Sequence, residues 1–366
     1  MTNKKKFPLW TLLVAAAVVL TAIILFITLL GKTMGTRPKV GLILTGSVTD
    51  SGWNGQHYSG VSAACKELGT DLLVKENVEE NTGMCAEAIH QLVNDGAKMV
   101  ILSSYGYPAE AKEVIESYPD IAFYGISSEY TAKNMTSYFG RMYQARYLSG
   151  IIAGMTTKTD SIGYVAAMPN SEVNRGINAF TLGVRSVNPD AVVYVRWTDS
   201  WDDEAKEKES VDLLIREKNA DVLTCHQNRD NVICAADAAG VYSIGYNQAT
   251  EGLSDKHLTS AVWNWDSLYY EIIREFVQSN ANSVQRHWFG IGKGVVGLSE
   301  LSADVDEHTR QVVEAAKTEI ISGSNIFSGD IYDNEGKQRC AEGEAIADGK
   351  LFSEHDWYVD GVVIYE

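Results

Sequence analysis

Aromatic rings and carboxamide side chains recur in the segments of this 366-residue chain that follow its short apolar runs. Flat rings can sandwich a flat ligand, and amide groups can read its edge through paired donors and acceptors. The pattern therefore predicts a site for a neutral heteroaromatic molecule rather than for a sugar phosphate. The candidate ligand-binding residues are Asp50, Trp53, Asn54, Tyr105, Gly106, Trp201, His226, Tyr246, Asn247 and Trp263.

Some of the tryptophans are expected to be packing residues instead. Because tryptophan is usually largely buried, we expect about half of Trp197, Trp201, Trp263 and Trp265 to lie in the core.

The motifs of common enzymes do not occur in this sequence. The seven histidines are scattered, with no HxxxH or HExxH spacing, and no GxSxG motif is present. No GxGxxG follows a predicted strand and no GxxxxGK(S/T) occurs, so no dinucleotide or ATP site is indicated. A net charge of −17 also argues against a nucleic-acid partner, because phosphate binding needs clustered cations. We predict no catalytic residues, no cofactor and no metal site.

Five cysteines leave two alternatives open. Cys65 could pair with Cys85, or Cys225 with Cys234, since an oxidising compartment permits disulfides. Alternatively, these residues and Cys340 are small buried apolar side chains. None forms a CxxC, so a zinc or thioredoxin-type site is not indicated.

Short apolar runs alternate with amphipathic stretches along most of the chain. A β-α-β-α-β order covers residues 40–125, and the same alternation begins again after residue 144. It predicts an α/β fold of two doubly wound, Rossmann-like lobes joined by a hinge. The first lobe is predicted at 39–140, with segments returning from about 265–300 and the C-terminus. The second is predicted at 141–262, with part of 300–350. Ligands of open parallel sheets bind beyond the C-terminal strand ends, so we expect the candidates in the cleft between the lobes.

The N-terminal part of the chain has a different composition. Residues 1–39 contain six Lys or Arg and no acidic residue, and residues 7–30 are uncharged. A run of this length can span a hydrocarbon core of roughly 30 Å as a helix. We predict a cytoplasmic basic segment at 1–6, one N-terminal transmembrane helix at 7–30 and a linker at 31–38. A cleaved signal peptide is the alternative, although the apolar run is longer than usual for one.

Several segments, in this order and spacing, resemble the basic membrane lipoprotein (BMP) family of ABC-importer substrate-binding proteins, known for purine nucleoside receptors. The resemblance covers roughly residues 38–366. It rests on TDSGWN (49–54), YLSGIIAG (147–154), IGYV (162–165), NAFTLG (178–183) with NPD (188–190), FSGDI (327–331) and WYVDG (357–361).

The resemblance implies a type I periplasmic-binding-protein fold that closes on its ligand. It implies that Asp50 and Asn54 hydrogen-bond a purine and that Trp53 lies against it, and it adds Phe180 to the candidates. Nucleoside-binding members have an acidic residue at the position of Asn247 and a Lys at that of Trp263, both associated with the ribose hydroxyls. This departure resembles a subgroup that takes free bases such as adenine. The chain also lacks the family's lipid-bearing cysteine.

The function predicted from these features is that of a membrane-anchored solute-binding protein of an ABC importer. It would sit outside the cytoplasm, bind a purine base or nucleoside, and deliver it to a permease and its ATPase. One alternative is a receptor of the same fold that senses a ligand and signals through a membrane partner. A second is a nucleoside-processing enzyme, for which a catalytic carboxylate cluster or metal site would be needed.

Overall fold

Two α/β lobes make up the computed structural model, which describes residues 37–50 and 52–366. The strands, in chain order, are β1 (Lys39–Ile43), β2 (Asp71–Lys75), β3 (Met99–Leu102), β4 (Ala122–Ile126), β5 (Met135–Gly140), β6 (Ser161–Ala166), β7 (Val192–Trp197), β8 (Val222–His226), β9 (Tyr242–Asn247), β10 (His257–Trp263), β11 (Arg286–Phe289), β12 (Val296–Leu298), β13 (Ile331–Tyr332), β14 (Gln338–Cys340) and β15 (Val362–Ile364). The helices are α1 (Trp53–Leu68), α2 (Met84–Asn94), α3 (Tyr107–Glu110), α4 (Lys112–Ser117), α5 (Met142–Thr156), α6 (Ser171–Val187), α7 (Glu204–Lys218), α8 (Asn231–Ala239), α9 (Trp265–Val277), α10 (Glu307–Ile321) and α11 (Asp348–Ser353), with a 3₁₀ turn at Ile291–Lys293.

The first lobe is built on a six-stranded sheet in the order β11-β5-β4-β3-β1-β2, and every pairing in it is parallel. The second lobe has seven strands in the order β12-β10-β9-β8-β6-β7-β15, of which β12 alone runs antiparallel to its neighbour. Strand β3 (MVIL) is buried along its whole length, as expected for a central parallel strand covered on both faces. This architecture confirms the predicted pair of doubly wound lobes.

The chain passes between the lobes three times. Arg141 joins β5 to α5, Asn264 joins β10 to α9, and Gly290 follows β11 before the chain enters β12. Helix α5 packs on α6 of the second lobe, and α9 packs on α1 of the first.

Two details of the expected lobe composition differ from the structure. Strand β12 falls within a segment predicted to return to the first lobe, and instead pairs with β10 of the second. The C-terminus is likewise predicted to return to the first lobe, but β15 lies parallel to β7, with Val362 opposite Val193. The outer edge of β7 is otherwise open, so the C-terminal strand satisfies its backbone groups.

The cysteines are all free thiols; Cys234 is exposed and the other four are buried. Neither alternative disulfide is formed, and the interpretation as buried apolar side chains holds for those four. Among the residues that the structure describes, no helix is long and apolar enough to cross a membrane. The predicted transmembrane helix at 7–30 lies outside the described residues.

Candidate functional site

A cleft of about 700 Å³ opens between the C-terminal ends of the two sheets. Loops that follow the parallel strands of both lobes supply its walls, as expected for this class of sheet. The first lobe contributes Trp53, Glu80, Ser104, Tyr105, Ile126, Ser127, Glu129 and Phe139. The second lobe contributes Asn170, Ser171, Glu172, Trp201, Gln227, Asn228, Tyr246 and Asn247, and the C-terminal segment adds Phe352.

The loop after β1 is held in shape by its own polar residues. Asn54 Oδ1 accepts from the Gly46 N–H and the Thr45 hydroxyl, both at 3.0 Å. Asp50 accepts from the Gly52 N–H at 2.9 Å and from Asn54 Nδ2 at 3.0 Å. Partial burial opposes ionisation of Asp50, but these hydrogen bonds outweigh it and hold its pKa below the ordinary value. Asp50 and Asn54 therefore bind within their own loop, and neither of them lines the cleft in this arrangement.

Trp53 begins α1 and forms part of the wall of the first lobe. Its indole Nε1 donates to the carbonyl of Ser103 at 2.9 Å, and its ring meets the buried His57 edge-on with centroids 4.2 Å apart. These two contacts orient a large flat surface toward the cavity before any ligand is present.

Tyr105 is an exposed part of the same wall, whereas Gly106 does not line the cleft and instead contacts the lining residue Glu80. The Gly106 N–H donates to Glu80 Oε1 at 2.6 Å. A Cβ at position 106 would lie 2.7 Å from that oxygen, so a larger residue would require the Glu80 side chain to shift. Gly106 thus positions Glu80, which lines the cavity.

Trp201, Tyr246 and Asn247 are the predicted residues that line the cleft from the second lobe. Asn247 ends β9 in the left-handed region, with φ of 76°. His226 is only 1% exposed and lies behind this wall, with its ring centroid 4.2 Å from that of Tyr246. Burial, together with the charges of the neighbouring arginines, lowers the pKa of His226, so the imidazole is neutral.

Phe180 and Trp263 are placed away from the cavity wall. Phe180 is fully buried and meets the Tyr164 ring edge-on at 5.6 Å, because α6 turns that face toward α5 and β6. Trp263 is 8% exposed and stacks on Trp265. With these two in contact and Trp201 exposed, the expectation that about half of the four tryptophans lie in the core is met.

Carboxylates on the wall are the main feature that the sequence did not reveal. Glu80 and Glu129 line the cleft from the first lobe and Glu172 from the second, whereas none of the described lining residues is a Lys or Arg. Glu172 could have been found, because Asn170, four residues after β6, is an N-cap signal for the next helix. Its side chain accepts from the Glu172 and Val173 N–H groups at 3.0 Å. Phe352 carried no comparable signal.

This arrangement suits reversible binding rather than chemistry. In the part of the chain that the structure describes, no group of His, Cys, Asp and Glu side chains could hold a metal ion. The cleft instead offers rings, amides and carboxylates, which bind a small molecule through stacking and hydrogen bonds.

Comparison with known proteins supports the same view. A family model described as ABC transporter substrate-binding protein PnrA-like (Bmp) matches residues 37–329. A purine-binding protein of Brucella abortus is 32% identical over 88% of this chain and 92% of its own length. A Haloferax volcanii relative, named as a putative ABC transporter glucose-binding protein, is 31% identical over 91% of this chain and 82% of its own.

A solved structure gives the fold independently. The crystal structure of a transcriptional activator of the comK gene from Bacillus halodurans matches with a TM-score of 0.70 at 23% identity, covering 78% of this chain and 98% of that one. It shows the two-lobed type I periplasmic-binding-protein fold. The chain therefore belongs to the PnrA-like (Bmp) family of ABC transporter substrate-binding proteins, which are extracytoplasmic solute-binding proteins and not enzymes.

Proposed function

We propose that this protein captures a purine and delivers it to an ABC permease and its ATPase. The observation that carries the proposal is the aromatic cleft, with Trp53 on one lobe and Trp201 and Tyr246 on the other. Stacking of a base on an aromatic side chain is worth roughly 1–3 kcal/mol, so rings on both walls favour a flat ligand. The purine-binding relative in Brucella abortus supports this ligand class.

Within that class, a free base is proposed to bind more tightly than its nucleoside. Asn247 lines the cavity with a neutral amide where nucleoside-binding members have an acidic residue. The missing charge removes hydrogen bonds to ribose hydroxyls that are worth roughly 1.5–3 kcal/mol each. Trp263 supports the same preference because it replaces the lysine of nucleoside-binding members. Its own ring stacks on Trp265 and does not line the cleft.

The lobes are proposed to close on the ligand about the three crossings, as two-lobed receptors commonly do. The anchor proposed at residues 7–30 would keep the receptor at the membrane beside the permease. Small-angle scattering with and without saturating ligand tests the closure, and a scattering curve that does not change would contradict it.

Calorimetry on residues 37–366 tests the ligand, with adenine, guanine, adenosine, guanosine and glucose. A base should bind at least about ten-fold tighter than its nucleoside, which corresponds to roughly 1.4 kcal/mol. Glucose is included because a relative carries that name. Binding of glucose in the absence of purine binding would replace the purine assignment with a sugar. A nucleoside that binds ten-fold tighter than its base would contradict the preference for bases.

A further inference from the structure

The wall of the second lobe contains a carboxylate, that of Glu172, to which no residue described by the structure donates a hydrogen bond. Glu172 lines the cleft and its side chain is 28% exposed. The nearest nitrogen of a basic side chain is His226 Nε2. It lies 3.9 Å from Glu172 Oε1, which is beyond hydrogen-bond distance. A carboxylate can accept about four hydrogen bonds, so Glu172 has acceptor capacity that faces the cavity.

The buried arginines nearby are committed to other acceptors. Arg146 donates to the Cys225 carbonyl at 2.7 Å and to the Thr224 hydroxyl at 3.4 Å. Arg175 donates to the Leu351 carbonyl at 2.5 Å. Their charges stabilise the ionised form of Glu172 from a distance, but neither guanidinium forms a salt bridge with it.

His226 provides a second, independent observation at the same place. It is 1% exposed, and within the described residues neither of its ring nitrogens has a hydrogen-bond partner. Its ring lies 4.2 Å from Tyr246 and 6.0 Å from Trp201, both of which line the cleft. Since an unpaired buried polar group costs roughly 1–3 kcal/mol, this imidazole is poised to pair when the cleft closes.

We propose that Glu172 accepts the N–H edge of the bound base and that His226, behind it, is a positioning residue that holds the carboxylate. This inference rests on the proposed function and names the ligand class more closely: a purine that presents N–H donors and carries no negative charge. Trp201 and Tyr246 line the same wall as Glu172, and both rings lie near His226, so a flat ligand that stacks on them would bring its edge toward Glu172. Glu80 and Glu129 across the cleft would repel an anion, which adds discrimination against nucleotides.

Protonation of Glu172 should control the affinity. Burial raises its pKa above the ordinary value, with Arg175 and Arg146 opposing that shift. Only the ionised form accepts two donors without offering one, so affinity should be constant at high pH and fall as the pH drops through the pKa of Glu172. The titratable and charged groups that surround Glu172 are Arg146 of α5, Tyr164 of β6, Arg175 of α6, His226 of β8 and Tyr246 of β9.

The experiment is calorimetry with adenine between pH 8 and pH 5 on the wild type, Glu172→Gln and Glu209→Gln. Because Glu172→Gln loses a charge-assisted hydrogen bond, it should bind adenine about ten-fold to hundred-fold more weakly than the wild type at pH 8. Its affinity should also change little with pH. Glu209→Gln removes the same charge from an exposed position of the second lobe that does not line the cleft, and it should stay within about two-fold of the wild type. Circular dichroism melting checks that each variant is folded. If Glu172→Gln does not fold, Glu172→Asp takes its place; it keeps the charge and should retain the pH dependence of adenine binding.

The role of His226 is tested by the midpoint of the pH profile of adenine binding. His226→Ala should weaken binding and move the midpoint of the pH profile upward, because the carboxylate loses the N–H donor that is proposed to pair with it when the cleft closes. His226→Gln keeps a donor and should restore the midpoint toward that of the wild type. A loss of affinity with an unmoved midpoint would mean that His226 is only a packing residue.

The outcomes separate this inference from the proposed function. Wild-type affinity in Glu172→Gln, or equal losses in Glu172→Gln and Glu209→Gln, would overturn the contact while leaving purine binding intact. If the wild type binds none of the purines, the proposed function and this inference both fall.

Discussion

The indole rings of Trp263 and Trp265 lie stacked, with centroids 4.6 Å apart and planes inclined by 14°. Trp263 ends β10 in the second lobe and Trp265 begins α9 in the first, so the stack brackets the crossing at Asn264. Trp265 Nε1 donates to Gln56 Oε1 at 3.2 Å, and Gln56 Nε2 donates to Gln248 Oε1 at 3.0 Å. The pair therefore joins the lobes at a pivot and is not a wall of the ligand cleft.

Replacing Trp263 should consequently affect stability more than ligand choice. Trp263→Ala removes a ring that packs on Phe139 and Trp265, and truncation of a buried Trp costs roughly 3–5 kcal/mol of unfolding free energy. Trp201→Ala, at an exposed wall position, should lose ligand affinity with little change in stability. Urea unfolding and calorimetry on the two variants provide the comparison. A Trp263→Ala protein of unchanged stability that gains nucleoside affinity would instead show that the Trp263 ring excludes the ribose.

Helices α5 and α6 approach each other through glycines on both sides. A Cβ on Gly150 would overlap the carbonyl oxygen of Phe180, and a Cβ on Gly183 would overlap that of Tyr147. Because backbone cannot yield as a side chain can, Gly150→Ala or Gly183→Ala should destabilise the second lobe by about 1–3 kcal/mol or more. Gly349→Ala is the matched control, since a Cβ at that position would meet no atom within 4 Å. Equal midpoints of urea unfolding for Gly150→Ala and the control would show that the helices can separate freely.

Glu207 gives the fold a pH-dependent contribution. Burial raises its pKa to about 7, although a hydrogen bond from the Asp203 N–H opposes the shift. The folded protein therefore retains a proton that the unfolded chain releases near its ordinary pKa of 4.5. Between these values the folded state binds more protons, so the free energy of unfolding falls as the pH rises through this window.

Glu207→Gln should remove this contribution. At pH 8 the variant should be more stable than the wild type by about 1–2 kcal/mol, after discounting for relaxation around the buried group. The gain should vanish near pH 4. Glu209→Gln, at an exposed position on the same helix, should not change the slope. Urea unfolding at several pH values measures it, and parallel pH profiles for wild type and Glu207→Gln would refute the assignment.

The alternation of apolar runs and amphipathic stretches was sufficient to predict β1 to β4 and most of the second lobe. Strands β5 (MTSYFG) and β11 (RHWF) were missed because their composition is mixed, although all six residues of β5 are buried. Thr136 in β5 can be buried because its hydroxyl donates to Asn282 Oδ1 and to the Val284 carbonyl, each at 3.0 Å. Such partners lie far along the chain, where local periodicity carries no information about them.

The same distinction holds for the cleft. Residues at the end of a strand or in the loop after it, such as Trp53, Trp201 and Tyr246, could be predicted because parallel topology places the C-terminal strand ends at one edge. Phe352 could not, because its place depends on a segment folded back across both lobes. Arg175 of the second lobe donates to the Leu351 carbonyl, and Arg286 of the first lobe lies 4.0 Å from the Phe352 ring.

That C-terminal segment yields the last prediction. Arg141, at a crossing between the lobes, binds Asp348 through two hydrogen bonds of 2.8 and 2.5 Å and lies 4.4 Å from the Trp288 ring. Asp348→Asn keeps the shape but loses the ionic part of this pairing, which positions Phe352 on the cavity wall. Since the Asp348 side chain is 57% exposed, the loss of stability should be below about 1 kcal/mol.

Ligand affinity should respond more than stability does. Asp348→Asn should bind adenine about three- to ten-fold more weakly, mainly through faster dissociation, because most effects of such mutations appear in the off-rate. Phe352→Ala should weaken binding at least as much, since it removes the wall residue itself. Asp360→Asn is the matched control, because its salt bridge to Arg185 is similarly exposed but does not touch the cleft. Stopped-flow dissociation on the three variants provides the test, and a Phe352→Ala protein that releases adenine at the wild-type rate would show that the C-terminal segment is not part of the binding site.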